Sequence, residues 1–210
     1  MLHVDHVIYG VRNLDAAAHH LYRKHGLASA VGGRHPAWGT ENRIVPLNDA
    51  YLELMTVVDP ELAAKTPLGR FVAQRIARGD GFLGWMAAGE GFEDRAAALE
   101  LQPEPFGRQR PDGSEVRWRL AGLETMIAEP PLPALIAWDD SQAFPGRMPL
   151  AHRGVRPRGF AWLELAGVER RLHDWLGATA GVPLRIVNGK TAGLRAAAIA
   201  LEYGDEIVIR

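Results

Sequence analysis

LHVDHVIYGV at residues 2–11 runs almost directly into NLDAAAHHLYRKHG at residues 13–26, and across that junction the spacing of apolar side chains changes. The first segment is rich in β-branched residues, as a strand is, whereas Leu14, Ala17, Ala18, Leu21 and Tyr22 recur at helical intervals and make one apolar face. Asn13 is placed to cap the helix by accepting a backbone N–H, and Gly26 supplies the left-handed residue that commonly ends one. Strands are expected next at residues 28–32, 42–47 and 51–58, with Asn48 and Asp49 turning the chain between the last two. The opening unit therefore reads β-α-β-β-β.

The same order returns twice. A strand at 82–88 leads to a helix with Phe92, Ala96 and Leu99 on one face, then to strands near 106–110, 115–120 and 132–138, the first two joined by a Pro111-Asp112-Gly113 turn. A third copy opens at 159–165 and continues through a helix carrying Val168, Leu172, Trp175 and Leu176. It closes with strands near 184–187, 194–203 and 207–209, with a tight hairpin at Gly204-Asp205. A helix capped by Thr66, with Pro67 in its first turn, connects the first two copies. Residues 141–158, rich in Pro, Gly and Arg, read as an irregular crossover.

The bulk composition narrows the function classes. Lys and Arg number 24 against 25 Asp and Glu, so there is no global field to draw in nucleic acid or an anionic membrane, and a small-molecule ligand fits better. Cysteine is absent, which excludes a disulfide framework, a thiolate nucleophile and Cys-ligated zinc. MLHVDHV lacks a basic and apolar leader, and no apolar run reaches the roughly 20 residues that span a bilayer, so the expected compartment is the cytoplasm. Nucleophile-elbow, Walker A, H-E-x-x-H and dinucleotide-binding glycine motifs are also missing.

Strict alternation along the first strand places Val4, His6 and Ile8 on one face and Asp5, Val7 and Tyr9 on the other. In the segment 51–58, Tyr51, Glu53 and Met55 share a face. If both faces of this sheet are covered, Glu53 is a carboxylate among apolar neighbours and must be paired, metal-bound or protonated. Gly32-Gly33 gives a flexible or positive-φ stretch before a loop bearing His35, Trp38, Thr40 and Asn42. His35 is there a candidate ligand or general base and Asn42 a hydrogen-bonding partner for a carbonyl, with a hydrated surface turn as the plainer alternative. His152 lies in the crossover with Arg147, Arg153, Arg156 and Arg158, a set that could receive a carboxylate or phosphate or simply be a solvated basic loop.

The β-α-β-β-β order, with His6 in its first strand and Glu53 in its last, resembles the vicinal oxygen chelate superfamily. GGRHPAWGTEN at 32–42 followed by YLEL at 51–54 is more narrowly similar to the glyoxalase-like domain family. The resemblance implies an α+β fold in which βαβββ modules over 1–140 form curved mixed sheets around a cavity. A crossover at 141–158 and a third, smaller module at 159–210 complete it. In metal-dependent members the ligands come from the first and last strands of both modules, which would make His6 and Glu53 ligands. The second module departs from this, with Gly84 or Trp85 in place of the histidine and Ile136 and Trp138 in place of the carboxylate.

Two functions follow from the resemblance. One is lyase or isomerase chemistry in which a divalent metal (Zn, Fe, Mn or Ni) held by His6, Glu53 and His35 stabilises an oxyanion. In it Glu53 and His35 are catalytic, and Tyr51, Trp38, Thr40, Asn42 and His152 bind substrate. The other is metal-free sequestration of a small molecule in the same cavity, which His6, Glu53, Tyr51 and the Trp38 loop are expected to line as the largest in the protein. Three modules leave one without a partner, and an uncovered curved sheet exposes strand edges, so the third is expected either to cover an edge or to pair with its copy in a homodimer.

Overall fold

The computed structural model of the chain describes residues 1–109, 113, 115–167, 169–177 and 183–210, the side chain at position 109 excepted. The opening unit is β1 (Leu2–Gly10), α1 (Leu14–His25), β2 (Ala30–His35), β3 (Thr40–Pro46) and β4 (Tyr51–Val57). Asn13 caps α1 by accepting from the Ala16 N–H at 2.9 Å, and Gly26 ends it at φ 73°. The short α2 (Pro60–Ala63), which the apolar spacing does not announce, precedes α3 (Pro67–Ala77), whose cap is Thr66 accepting from Gly69 N–H. The second unit is β5 (Gly81–Gly89), α4 (Phe92–Ala98), β6 (Glu104–Gln109), β7 (Glu115–Ala121), α5 (Leu123–Ala128) and β8 (Ala134–Trp138). Of the expected features, Pro111-Asp112 of the turn and Val168 of the last helix lie outside the described residues.

These eight strands form one sheet in the order β2-β3-β4-β1-β5-β8-β7-β6. Each unit closes its last strand parallel to its first, and the two units meet where β1 runs antiparallel to β5, His6 opposite Met86. The sheet curves until its edge strands β2 and β6 approach, and there the Arg108 guanidinium donates to the Gly32 carbonyl across the seam.

After the crossover, with single turns of 3₁₀ helix at Ser141–Ala143 and Pro145–Arg147, come β9 (Pro157–Ala166), α6 (Glu169–Leu176), β10 (Leu184–Val187), β11 (Gly193–Leu201) and β12 (Glu206–Ile209). The element order repeats that of the other units, but the strand order is β10-β9-β11-β12. Here β10 lies parallel beside β9, joined through α6 in the helix-length crossover that parallel neighbours need, whereas in the opening unit β4 takes that place.

One apolar cluster runs through both sheets. Val7 of β1 and Trp85 of β5 share it with Leu163, Leu165, Ala197 and Ile199 of the four-stranded sheet, and with the buried faces of α1, α4 and α6. The second sheet thus covers the convex face of the first within one chain. The third unit thus packs on its own chain, over a face of the first sheet and not over an edge. A separate cluster, including Ile8, Met86, Trp118 and Ile136, fills the concave face beneath α3 and α5. Because Leu163 is fully buried between the sheets, Leu163→Ala should cost about 2–5 kcal/mol in urea denaturation. A single transition shifted as a whole is expected; loss of the second sheet alone would show that the two do not share a core.

Candidate functional site

The concave face holds a small, partly enclosed cavity of about 40 Å³, room for some three or four waters at roughly 10–15 Å³ each. A far larger recess, about 1090 Å³ but wide open to solvent, lies at the crossover. The expectation that His6 and Glu53 line the largest cavity is therefore corrected: theirs is the smaller, because α3, α5 and Pro145 close over it. It is nevertheless where buried polar groups converge, since His6, His35, Asn42, Glu53 and Arg108 line it and the open recess has no such set.

The polar wall is assembled by four adjacent strands. His6 comes from β1, Tyr51 and Glu53 from β4, Thr40 and Asn42 from β3, and His35 from β2. Strict alternation on β1 fails at one point: the pairing with β5 jumps between Val4 and His6, so Asp5 is an extra residue on β1, a β-bulge. Val4 therefore joins the convex-face cluster with Val7, while Asp5 turns toward the side of His6 and Trp138. Its Oδ1 lies 2.6 Å from His6 Nδ1, and its Oδ2 accepts from Trp138 Nε1–H at 2.9 Å.

The hydrogen bonding continues in a line. His6 Nε2 faces Glu53 Oε2 at 3.4 Å, longer than a good hydrogen bond, and the Asn42 amide donates to Glu53 Oε1. Asn42 Nδ2 also stands 3.5 Å from His35 Nε2, and His35 Nδ1 is 3.0 Å from Thr40 Oγ1. Asn42 Oδ1, alone among the buried side-chain polar atoms of the described residues, has no partner. Gly32 makes room for it, since a Cβ at that position would stand 2.0 Å from Oδ1.

Burial acts on the titration of this wall. It lowers the His35 pKa, an effect that Glu53 opposes and that Arg108 and His6 reinforce, so the ring stays neutral. Burial also lifts the Tyr51 hydroxyl well above the usual phenol range, with Asp5 and Glu53 adding to the effect, so Tyr51 remains a phenol. Its ring stacks on His6 at 4.3 Å and 17°, which holds the imidazole plane. Trp38 packs between His35 and Phe106.

The opposite wall is apolar. Met86, Trp118, Leu120 and Ile136 come from the second unit, with Leu68 of α3 and Leu123 of α5. Of Gly84 and Trp85, expected in place of the first unit's histidine, Gly84 lies against Met126 of α5: a Cβ there would meet its sulfur at 2.8 Å.

Several sequence expectations change. His35 is not on a hydrated loop but ends β2, buried, because the strand runs on through Gly33 at φ 147° and a bulge. His152 stands apart from the cavity and lines the open recess. Its Nδ1 accepts from Ala28 N–H and its Nε2 donates to Pro46 C=O, which ties the crossover to the opening unit. Arg153 donates to carbonyls at the end of α1, and Arg156 and Arg158 pair with Glu202. The His6, Glu53 and His35 set does not converge as three metal ligands, and no group of three His, Cys, Asp or Glu among the described residues does. Asp5 is behind the His6 ring, and His35 is turned to Thr40 and Asn42. The donor set present does not fit the expected divalent-metal site, which needs at least three protein ligands. Arg108, a guanidinium 5% exposed in the cavity wall, escaped the sequence reading; a single Arg in a strand carries no sign of burial.

Burial lowers the pKa of His152, with its bond to Pro46 opposing, and His35 is lowered too. Each ring takes up its proton more readily in the unfolded chain, whose histidines titrate near 6.5. Their contribution to stability is therefore complete above that pH and is lost as the pH falls from about 6.5 toward the lower folded values. The urea midpoint should accordingly drop between pH 7.5 and 5.0, and His152→Gln should make that drop shallower. An unchanged slope would mean that His152 is not held neutral.

Residues 4–179 match the model of the glyoxalase-like domain family. No curated protein matches the sequence. Among solved structures, a hypothetical protein from Staphylococcus aureus is similar over 92% of this chain and 88% of its own, with a TM-score of 0.68 at 18% identity. Methylmalonyl-CoA epimerase from Mycobacterium tuberculosis is similar over 64% of this chain and 85% of its own, with a TM-score of 0.45 at 15% identity. A hypothetical protein from Bacillus halodurans is similar over 72% and 99%, with a TM-score of 0.47 at 13% identity. The family match runs past β8 through β9 and α6, so those elements are part of the family's own domain, and the chain belongs to the glyoxalase-like domain family.

Proposed function

We propose that this protein binds a small molecule in the concave cavity and moves a proton on it, chemistry of the isomerase or lyase type that passes through an oxyanion. The observation that carries this reading is the apposition of His6 Nε2 and Glu53 Oε2, 3.4 Å apart, at the polar end of an otherwise apolar cavity. Two buried basic atoms so placed suit the passage of one proton between them. In this reading Glu53 takes a proton from a carbon beside a carbonyl. The C–H bond breaks, an O–H bond forms on Glu53, and the electron pair moves to the carbonyl oxygen. Arg108 supplies positive charge for that oxygen. His6 receives the proton from Glu53 and returns it to that carbon as the electron pair moves back from oxygen and the carbonyl re-forms, so the atoms balance without a co-reactant. His35 and Thr40 act through Asn42, and Trp38 and Tyr51 shape the polar end. A cytoplasmic setting accords with a chain free of cysteine, and no described helix is long and apolar enough to cross a membrane.

A second reading, sequestration without chemistry, is favoured by the opposite wall, where Met86, Leu120 and Ile136 offer nothing reactive. Hydroxyacetone in D₂O, a ketone of a size with the cavity, separates the two. Proton transfer predicts loss of the ¹H signal of the carbon beside the carbonyl, slowed about 10²–10⁴-fold by Glu53→Gln. Binding without exchange selects sequestration, and neither binding nor exchange overturns both for this ligand type. Elemental analysis should find far less than one metal per chain; stoichiometric metal lost in both His6→Ala and Glu53→Ala would restore the metal-dependent reading.

A further inference from the structure

We propose that Asp5 is the positioning residue of the site, holding His6 with its proton on Nδ1 so that the lone pair of Nε2 faces Glu53 and the cavity. How this lone pair is used rests on the proton-transfer reading, but the positioning itself does not.

The case is one of donors and acceptors. Asp5 is 1% exposed, and its Oδ2 already accepts from Trp138 Nε1–H, a group that can only donate. Its other oxygen lies 2.6 Å from His6 Nδ1, a charge-assisted distance that requires a proton on one of the two atoms. A carboxylate already serving as acceptor places that proton on the ring. Tyr51, stacked on the imidazole, opposes its rotation, so Nε2 is left at Glu53 Oε2. None of this survives with regular alternation. Without the extra residue in β1, Asp5 would share a face with Val7 in the convex cluster, and the ring would have no acceptor behind it. The partner Trp138 comes from β8 of the second unit, so both units contribute to fixing one histidine.

The test is long-range ¹H–¹⁵N NMR of the full chain labelled at histidine, at pH 7.5 without ligand, with His6 assigned by its absence in His6→Gln. The expected spectrum has a protonated, pyrrole-type Nδ1 and a bare, pyridine-type Nε2. In Asp5→Asn, whose amide can donate to the ring, the Nε2–H form should appear, and Asp5→Glu should restore the original pattern in part. Trp138→Phe, which leaves the carboxylate in place, should keep the tautomer. A proton on Nε2 in the unsubstituted protein, as the other tautomer or as imidazolium, would overturn the proposal. So would an Asp5→Asn protein that melts earlier with an unchanged His6 signature, the mark of a merely structural carboxylate. If Asp5→Asn does not fold, the spectra of the unsubstituted and Trp138→Phe proteins still decide the matter. The ketone exchange assay keeps the two readings apart. The expected signature without exchange retains Asp5 and rejects the chemistry, whereas exchange that survives Asp5→Asn within twofold, together with an unchanged His6 signature, retains the chemistry and rejects Asp5.

Discussion

Strand β1 is hydrogen-bonded to β4 on one side and to β5 on the other, and the single extra residue in its pairing with β5 governs much of the molecule. Before the bulge, Leu2 and Val4 point into the convex-face core; after it, Val7 does so while His6 and Ile8 face the cavity. One inserted residue thus lets the same strand serve both clusters and places two ionisable neighbours, Asp5 and His6, side by side. A bulge also strengthens local twist, which a sheet that curves round a cavity requires. The antiparallel seam between β1 and β5 is where the two units join, so the irregularity lies at the centre of the sheet and not at an exposed edge.

The two units contribute unequally to the cavity. The first supplies His6, His35, Asn42, Tyr51 and Glu53; the second supplies Arg108, the Trp138 indole that braces Asp5, and apolar side chains. Where a symmetric pair of units would present a second imidazole and carboxylate, this chain has Gly84 under Met126 and Ile136 in the wall. The helix α5, inserted between β7 and β8, makes that difference physical, since its Met126 occupies the volume that a larger residue at 84 would need. The result is a cavity with one polar end and one oily end, suited to an amphiphilic guest.

The elements that packing and caps specify locally were legible in the sequence: the Asn13 and Thr66 caps, the Gly26 stop and the element order of the opening unit. What escaped depends on non-local contacts. Period-two alternation puts Asp5 on the wrong face because a bulge is set by cross-strand register; the local signal is the adjacency of two polar residues, Asp5 and His6. Gly32-Gly33 looks like a turn and so puts His35 on a loop, yet the glycines admit the Asn42 side chain and a second bulge. The third unit repeats an element order without its strand order, and spacing along a chain carries no information on which strand a crossover returns beside.

Burying this many polar groups on one wall is costly unless each finds a partner, and here nearly every one does, in a line from Thr40 to Trp138. The exceptions mark where the line is open. Asn42 Oδ1 lacks a partner, at a cost of about 1–3 kcal/mol for a buried group, and the 3.4 Å approach of His6 to Glu53 is too long to satisfy either atom well. A wall evolved only to hold the sheet together gains nothing from that slack, because apolar residues at positions 6 and 53 would pack there without it. The loose link also lies beside the cavity, where a single hydroxyl of a guest can reach both His6 and Glu53. The local deficit in stability and the capacity to bind therefore reside in the same pair of atoms.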